Sequence, residues 1–293
     1  MHPDAALPHL ILVRLAPEIT TKSRRTRRRF QRRLVENIGD ALGSGGHEHR
    51  VENRWTRILV EADAPEAIEP LSRVAGVSSL SPVDALLPAE MDVIVERGRE
   101  LYHDRVKGHR YAVEARRQGE HPFSSRDIKV ELGAALNPGA EVDLDHPDVT
   151  VEVEVRNDEA FLMCDRTEGP GGLPLGVQGK AVCLVSGGFD SAAAAWMLLK
   201  RGVELEYVFC NLAGAAYERS VAMVTRILAT DWSHGLRPRM HVVDFTEVVA
   251  ELQERVTPRY WQVVLKRLMY RAGQRVARDV NGEAIVTGES LGQ

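Results

Sequence analysis

The sequence predicts two architectures in series: an α+β half made of small strand-and-helix units, then an α/β domain whose parallel sheet is covered by helices. Three observations carry this expectation. The chain has 293 residues, more than one ordinary domain of ~100–200 residues, so two or three domains are expected. The apolar period then changes along the chain. Val149, Val151, Val153 and Val155 alternate with Thr150, Glu152 and Glu154, the mark of a half-buried strand with one wet face. Further on, Val182-Cys183-Leu184-Val185 is continuously apolar, as in a parallel strand buried on both sides. Between them lies Glu168-Gly169-Pro170-Gly171-Gly172-Leu173-Pro174-Leu175-Gly176, where the density of glycine and proline marks a boundary.

The elements follow in order. Residues 10–15 read as a strand, and Thr20 and Thr21 offer caps to a long amphipathic helix over 23–42. Phe30, Leu34, Ile38 and Ala41 form its buried stripe, and Gly43-Ser44-Gly45-Gly46 ends it. A strand at 57–61, a helix at 66–74 and a strand at 77–82 complete a small unit of ferredoxin-like pattern. A second unit has a helix at 91–102, a strand at 111–116, a helix to 136 capped by Ser124 or Ser125, and strands at 149–155 and 160–164. The α/β part reads strand 181–185, helix 192–200, strand 204–209, helix 218–228, strand 240–245, helices 247–255 and 261–279, and strand 284–286.

Composition excludes several classes. The apolar fraction of 44% is that of a globular protein. No apolar run approaches the ~20 residues of a membrane helix, and Leu10-Ile11-Leu12-Val13 lacks the flanks of a signal peptide. A cytoplasmic protein without membrane contact is expected. Cys164, Cys183 and Cys210 have no C-x-x-C spacing and read as buried, reduced thiols. The ten histidines show no metal-ligand spacing.

The net charge of −4 hides a local field. Lys22, Arg24, Arg25, Arg27, Arg28, Arg29, Arg32 and Arg33 follow one another with no intervening acid. On the expected helix, Arg24, Arg25, Arg28, Arg29 and Arg32 spread over the sides away from Phe30 and Leu34. With Lys22 they suit phosphate contacts more than base readout. Arg116, Arg117, Arg126 and Lys129 form a weaker second candidate patch.

Strand 181–185 runs directly into Ser186-Gly187-Gly188-Phe189-Asp190-Ser191, and a strong helix former, Ala192-Ala193-Ala194-Ala195-Trp196, follows. Two glycines let backbone approach an anion, and the helix N-terminus supplies free N–H groups. Ser186 and Ser191 can add hydroxyl donors. Asp190 would repel phosphate, so its expected role is to hold a Mg²⁺ bridging phosphate oxygens. The loop is neither a Walker A sequence nor G-x-G-x-x-G.

On this loop the sequence resembles the PP-loop ATP pyrophosphatases, and more narrowly the tRNA 4-thiouridine synthetases, sulfurtransferases also linked to thiamine biosynthesis. Further matching segments are Leu15-Ala16-Pro17-Glu18-Ile19-Thr20-Thr21-Lys22-Ser23, Phe123-Ser124-Ser125-Arg126-Asp127, Pro147-Asp148-Val149-Thr150-Val151 and Pro174-Leu175-Gly176-Val177-Gln178-Gly179. Val264-Leu265-Lys266-Arg267 and Thr287-Gly288-Glu289-Ser290-Leu291-Gly292-Gln293 complete the set. The resemblance implies a ferredoxin-like domain over 1–61, extending as far as about residue 80, and a THUMP domain that grips tRNA over 62–166. A linker at 167–178 and a PP-loop domain at 179–293 follow. It implies ATP contacts at Leu184, Val185, Ser186, Gly187, Gly188, Asp190, Ser191, Lys266 and Gly288. Lys266 by itself reads as a solvated helix lysine; only the resemblance assigns it to ATP.

The implied reaction adenylates O4 of a tRNA uridine with ATP and Mg²⁺, Asp190 being the catalytic group, and replaces that oxygen with persulfide sulfur from a cysteine desulfurase. Sulfur supply to the thiamine thiazole and a homodimer are further implied. In the resembling family the sulfur-carrying cysteine lies downstream of T-G-E, and none of Cys164, Cys183 and Cys210 matches it. The expectation is therefore a fragment impaired in sulfur transfer. Two other readings compete: a non-catalytic tRNA-binding fragment with a nucleotide site, and an amide-forming PP-loop synthetase. ATP–pyrophosphate exchange that needs tRNA separates them from the first.

Overall fold

The computed structural model describes residues 7–54, 56–212 and 214–289. Its first unit is built from strand β1 (His9–Leu15), helices α1 (Pro17–Thr20) and α2 (Arg24–Ser44), strands β2 (His49–Arg54) and β3 (Arg57–Ala62), helix α3 (Ile68–Leu71) and strand β4 (Val77–Pro82). β1 pairs antiparallel with both β3 and β4, and β2 pairs with β3. The alternate residues Ile11, Val13 and Leu15 point to one face. There they meet the α2 stripe of Phe30, Leu34, Ile38 and Leu42 in a closed core. The α2 cap is Ser23, whose Oγ accepts the Thr26 N–H at 3.4 Å. Thr20 and Thr21 do not cap it, because their hydroxyls donate back to the Pro17 carbonyl, each at 3.1 Å. The sheet runs on past residue 61 through β4, and β2, in a polar stretch with little alternation, had no sequence signal.

The second unit contains strand β5 (Ala85–Pro88), helix α4 (Met91–Val106), strand β6 (Arg110–Gln118), helix α5 (Ser125–Leu136) and strands β7 (Glu141–Val142), β8 (Val149–Arg156) and β9 (Glu159–Met163). β6 and β8 are parallel, and β9 returns antiparallel along β8. Asn157, at φ 50°, makes that tight turn. A capping box between Ser124 and Asp127 starts α5. α4 and α5 cover the valine face of β8.

The other face of β8 is not wet. Glu154 is only 3% exposed because the first sheet lies over it. Leu12 and Leu59 from that sheet pack on Phe161 and Met163 of this one. Arg14 Nη2 donates to Glu152 Oε2 at 2.6 Å, Arg57 Nε lies 2.8 Å from Glu154 Oε1, and Arg156 Nε donates to the same oxygen at 2.5 Å. Burial alone would raise the Glu154 carboxyl, but Arg57 and then Arg156 outweigh it and hold its pKa below the ordinary value.

The glycine-rich stretch is a strap rather than a tether. Strand β10 (Thr167–Glu168) adds to β4 of the first sheet. The Gly169 and Gly171 N–H groups donate to the Ser78 and Val77 carbonyls at 2.8 and 2.7 Å, and Leu173 and Val177 pack on the first core. Gly172, at φ 76°, passes so close to the last unit that a Cβ would stand 2.0 Å from the Lys200 carbonyl oxygen.

The last unit has strand β11 (Lys180–Leu184), helix α6 (Phe189–Leu199), strand β12 (Glu204–Asn211), helix α7 (Ala215–Asp231), strand β13 (Met240–Asp244), helices α8 (Thr246–Arg255) and α9 (Trp261–Asp279) and strand β14 (Ala284–Val286). The sheet is parallel in the order β13-β12-β11-β14. α6 and α7 supply the core on one face, α9 on the other. The chain leaves β11 towards β12 on one side and returns through β14 on the other. A crevice therefore opens at the carboxyl ends of these strands. Among the described residues no helix is long and apolar enough to cross a membrane.

Candidate nucleotide cleft and nucleic-acid face

α6 begins at Phe189, three residues earlier than the sequence suggests, with Gly188 as its N-cap and no side-chain cap. Its first N–H groups therefore remain available to an anion. Ser186, Gly187, Gly188 and Asp190 are exposed, whereas Ser191 is 4% exposed. The Ser191 hydroxyl accepts the Ser186 N–H at 3.1 Å and lies 3.2 Å from the carbonyl oxygens of both Ser186 and Gly188. Its work is to shape the loop, which corrects the expectation of a free phosphate donor. Ser186 Oγ accepts the Gly188 N–H at 3.4 Å.

Beside this loop is a cleft of about 270 Å³. Leu184, Val185, Ser186 and Ser191 line it from the β11 side, Val208, Phe209, Cys210 and Leu212 from β12, and Lys266, Met269 and Tyr270 from α9, with Thr287, Gly288 and Glu289 at the end of β14. The structure thus gathers Lys266 and Gly288 with the loop, although both are distant from it in sequence. Asp190, Gly187 and Gly188 sit at the adjoining mouth and do not line the cleft. Ser290, Leu291, Gly292 and Gln293 lie outside the described residues.

Lys266 is not a free helix lysine: its Nζ is 3.3 Å from Glu289 Oε2. Tyr270, one turn further along α9, donates to Glu289 Oε1 at 2.8 Å. The Tyr270 hydroxyl, then Lys266, hold the Glu289 carboxyl below its usual pKa, and the same hydrogen bond raises Tyr270. Gly288 packs on the start of α6, where a Cβ would lie 2.3 Å from the Asp190 carbonyl carbon and 2.4 Å from the Ser191 nitrogen. Its close approach is to protein backbone, and it lines the cleft as well.

Sequence reasoning passed over Tyr217, Tyr270 and Glu289. The i, i+4 spacing of Lys266 and Tyr270 could have signalled the second. Nothing local marks Tyr217, which reaches the loop only through the packing of α7.

Among the described residues no group of three His, Cys, Asp or Glu side chains is placed to hold a metal ion. A lone exposed carboxylate beside loop N–H groups still suits Mg²⁺, which keeps its waters and takes one or two carboxylates together with phosphate oxygens. The three thiols are poor nucleophiles: burial raises Cys164 and Cys210 to about 11 and Cys183 to about 12.

The basic helix presents Arg24, Arg25, Arg28, Arg29 and Arg32 around one shallow concavity. All five and Lys22 are exposed. Among the described residues Arg24, Arg25, Arg28 and Arg32 form no ion pair, and Arg29 stacks over Phe30 at 5.2 Å. Arg33 turns the other way and donates to the Leu175 and Gly235 carbonyls, each at 2.9 Å. The second candidate patch is not gathered. Arg116 and Arg117 alternate to opposite faces of β6. Lys129 is paired with Glu114 at 2.8 Å, Arg117 is tied to the Gly119 carbonyl at 2.8 Å, and Arg126 stands at the start of α5.

Comparison with known proteins agrees with this domain order. Residues 10–81 match the ThiI ferredoxin-like domain, 88–165 the THUMP domain and 176–293 the thiamine biosynthesis protein ThiI. A tRNA sulfurtransferase of Desulfurococcus amylolyticus is 40% identical over 284 residues, 96% of this chain and 59% of the relative. The chain spans about 60% of the length of the curated relatives it matches. A solved 4-thiouridine synthetase–RNA complex with bound ATP superposes with a TM-score of 0.82 at 29% identity, covering 97% of this chain and 74% of that one. A crystal structure of a Pyrococcus horikoshii protein gives 0.77 at 26%, covering 97% and 86%.

Proposed function

We propose, from the premise that this chain belongs to the tRNA sulfurtransferase (ThiI) family, that its cleft binds ATP and adenylates a uridine of a tRNA held by the first two domains. The observation that carries the reading is the convergence of Ser186, Ser191, Lys266 and Gly288 on one cleft at the carboxyl edge of the sheet. An exposed arginine face that forms no ion pair among the described residues supports the RNA half.

In this reading Leu184 and Val185 frame the adenine, and the N–H groups of Gly187, Gly188 and the first turn of α6 hold the β and γ phosphates. Lys266, released from Glu289, neutralises the triphosphate. Asp190 would hold Mg²⁺, which supplies charge neutralisation between phosphate oxygens. Uridine O4 attacks the α phosphate, pyrophosphate leaves, and C4 carries AMP as its leaving group. The terminal sulfur of a persulfide, supplied by a cysteine desulfurase, attacks C4 and displaces AMP, and a second thiol then cleaves the S–S bond to leave 4-thiouridine and a disulfide. Cys164, Cys183 and Cys210 do not carry that sulfur, because burial keeps them protonated. The thiamine thiazole is a second proposed outlet for the same sulfur, and the protein acts in the cytoplasm. Lys22 and the α2 arginines take the tRNA backbone; Arg116, Arg117, Arg126 and Lys129 contribute at the margin.

ATP–pyrophosphate exchange with purified chain tests the adenylating half. Exchange that requires tRNA is expected. Exchange without tRNA would point to a different PP-loop synthetase, and tRNA binding with no exchange would leave a non-catalytic RNA-binding role.

A further inference from the structure

Tyr217 lies in the first turn of α7 and reaches across to the phosphate loop, where its Oη accepts the Gly187 N–H at 3.2 Å. Its ring lies against the same glycine: a Cβ on Gly187 would stand 3.2 Å from ring carbon Cε2 and 3.3 Å from the hydroxyl. The position is held from behind. The ring meets Phe209 of β12 at 5.7 Å between centroids. The start of α7 is tied to the end of β12, since Asn211 Oδ1 accepts the Gly214 N–H and Asn211 Nδ2 donates to Glu218, both at 3.0 Å. Tyr217 is 41% exposed and lines the cleft.

The loop's donors are few. Ser186 N–H is taken by Ser191 and Gly188 N–H by Ser186 Oγ, both inside the loop. Gly187 N–H alone among these is taken by a side chain from another element, and that element has one side chain to withdraw. A neutral hydroxyl holds the donor more weakly than an anionic oxygen would.

We propose that Tyr217 is a positioning residue whose hydroxyl occupies a phosphate-oxygen position on Gly187 and is exchanged for that oxygen when the polyphosphate of a nucleotide enters. The inference rests on the nucleotide reading of the cleft and adds a competitor to it. The hydroxyl keeps the Gly187 donor satisfied and aimed, and every phosphate bound must displace it. Polyphosphate affinity is thereby set below the loop's intrinsic capacity. Release of pyrophosphate is correspondingly eased, because the hydroxyl takes back the donor as the anion leaves.

The test is calorimetric titration of the whole chain and its Tyr217→Phe variant with inorganic pyrophosphate, a non-hydrolysable ATP analogue and adenosine. Phenylalanine keeps the contact with Phe209 and removes only the competing oxygen. Y217F is expected to bind pyrophosphate and the analogue about two- to tenfold more tightly, the worth of one net hydrogen bond, with adenosine unchanged. Unchanged or weaker pyrophosphate binding would overturn the proposal, making the hydroxyl idle or a phosphate ligand. An equal change for adenosine would overturn it too, because ring packing would then be the cause. If the unsubstituted chain bound none of the three, the nucleotide reading itself would fall, a result distinguishable because it appears before any substitution is made.

Discussion

Gly288 shows how a single missing side chain shapes the candidate site. The backbone of residues 190–191 occupies the space a Cβ would need, with contacts at 2.3 and 2.4 Å, so Gly288→Ala must push either the end of β14 or the start of α6 aside. Overpacking of this kind costs ~1–3 kcal/mol, and here the strain falls on the turn proposed to offer its N–H groups to phosphate. G288A is expected to lose at least about tenfold in ATP affinity by calorimetry and to unfold at lower denaturant. Ser191→Ala acts on the same turn from inside. It leaves the Ser186 N–H without its 3.1 Å acceptor, a net loss of ~0.5–1.5 kcal/mol, and a lower melting temperature together with weaker ATP binding is the expected outcome. The order of glycines and serines in this loop alone marks it as a candidate phosphate site. Their division of labour was not legible in the sequence, because Ser191 and Gly288 act on backbone brought to them by the tertiary fold.

At the scale of elements, α2 does three jobs on three faces. Phe30, Leu34, Ile38 and Leu42 close the first core, and the exposed arginines face solvent. Arg33, Asn37 and Asp40 dock the helix on the α/β unit and the strap before it, where Asn37 donates to the Leu175 carbonyl at 3.1 Å and Asp40 accepts from Gly235 N–H at 2.7 Å and from Arg237 at 2.6 Å. The double variant Arg28→Gln, Arg32→Gln touches only the solvent face. It is expected to weaken tRNA binding similarly across tRNA sequences and to lower the slope of log K against log salt by about 1–2, with ATP affinity and melting temperature unchanged; a filter-binding salt series measures it. Arg33→Ala should do the reverse, lowering the melting temperature through two lost carbonyl contacts while leaving the salt slope intact. The apolar stripe of α2 was readable because its period of about 3.6 lies within one helix. The docking face was not, since its partners, the carbonyls of Leu175 and Gly235, stand some 140–200 residues away. β8 teaches the same lesson: alternation correctly implies a strand, but it cannot say whether the polar face meets water or another domain.

Across the whole molecule, buried polar contacts join the three units beside small apolar contacts, and the polar ones set how the protein should respond to acid. Docking of α2 and packing of Leu173 and Val177 on the first core mean that cutting the chain near residue 165 would expose apolar surface on both sides. Point changes at the contacts therefore test domain roles better than truncation does. Glu154 is the most informative position. It is 3% exposed and stands between Arg57 and Arg156, with the Arg14 Nε 3.7 Å away. The arginines stay charged through the acid range, so the carboxylate alone titrates. Its folded pKa is depressed below the ordinary 4.5. The stabilisation it brings is therefore fully present above about pH 4.5 and lost as the pH falls through the lower folded value. A melting series from pH 7 to pH 3 should be flat in this contribution down to about pH 4.5 and then fall. Glu154→Gln should start lower and lose less across the acid range, because the group that titrates is gone. Glu154→Ala, which strands buried guanidinium charge, should cost ~3–5 kcal/mol at neutral pH. An unchanged acid limb in E154Q would show that the sheet-to-sheet contact does not govern acid stability.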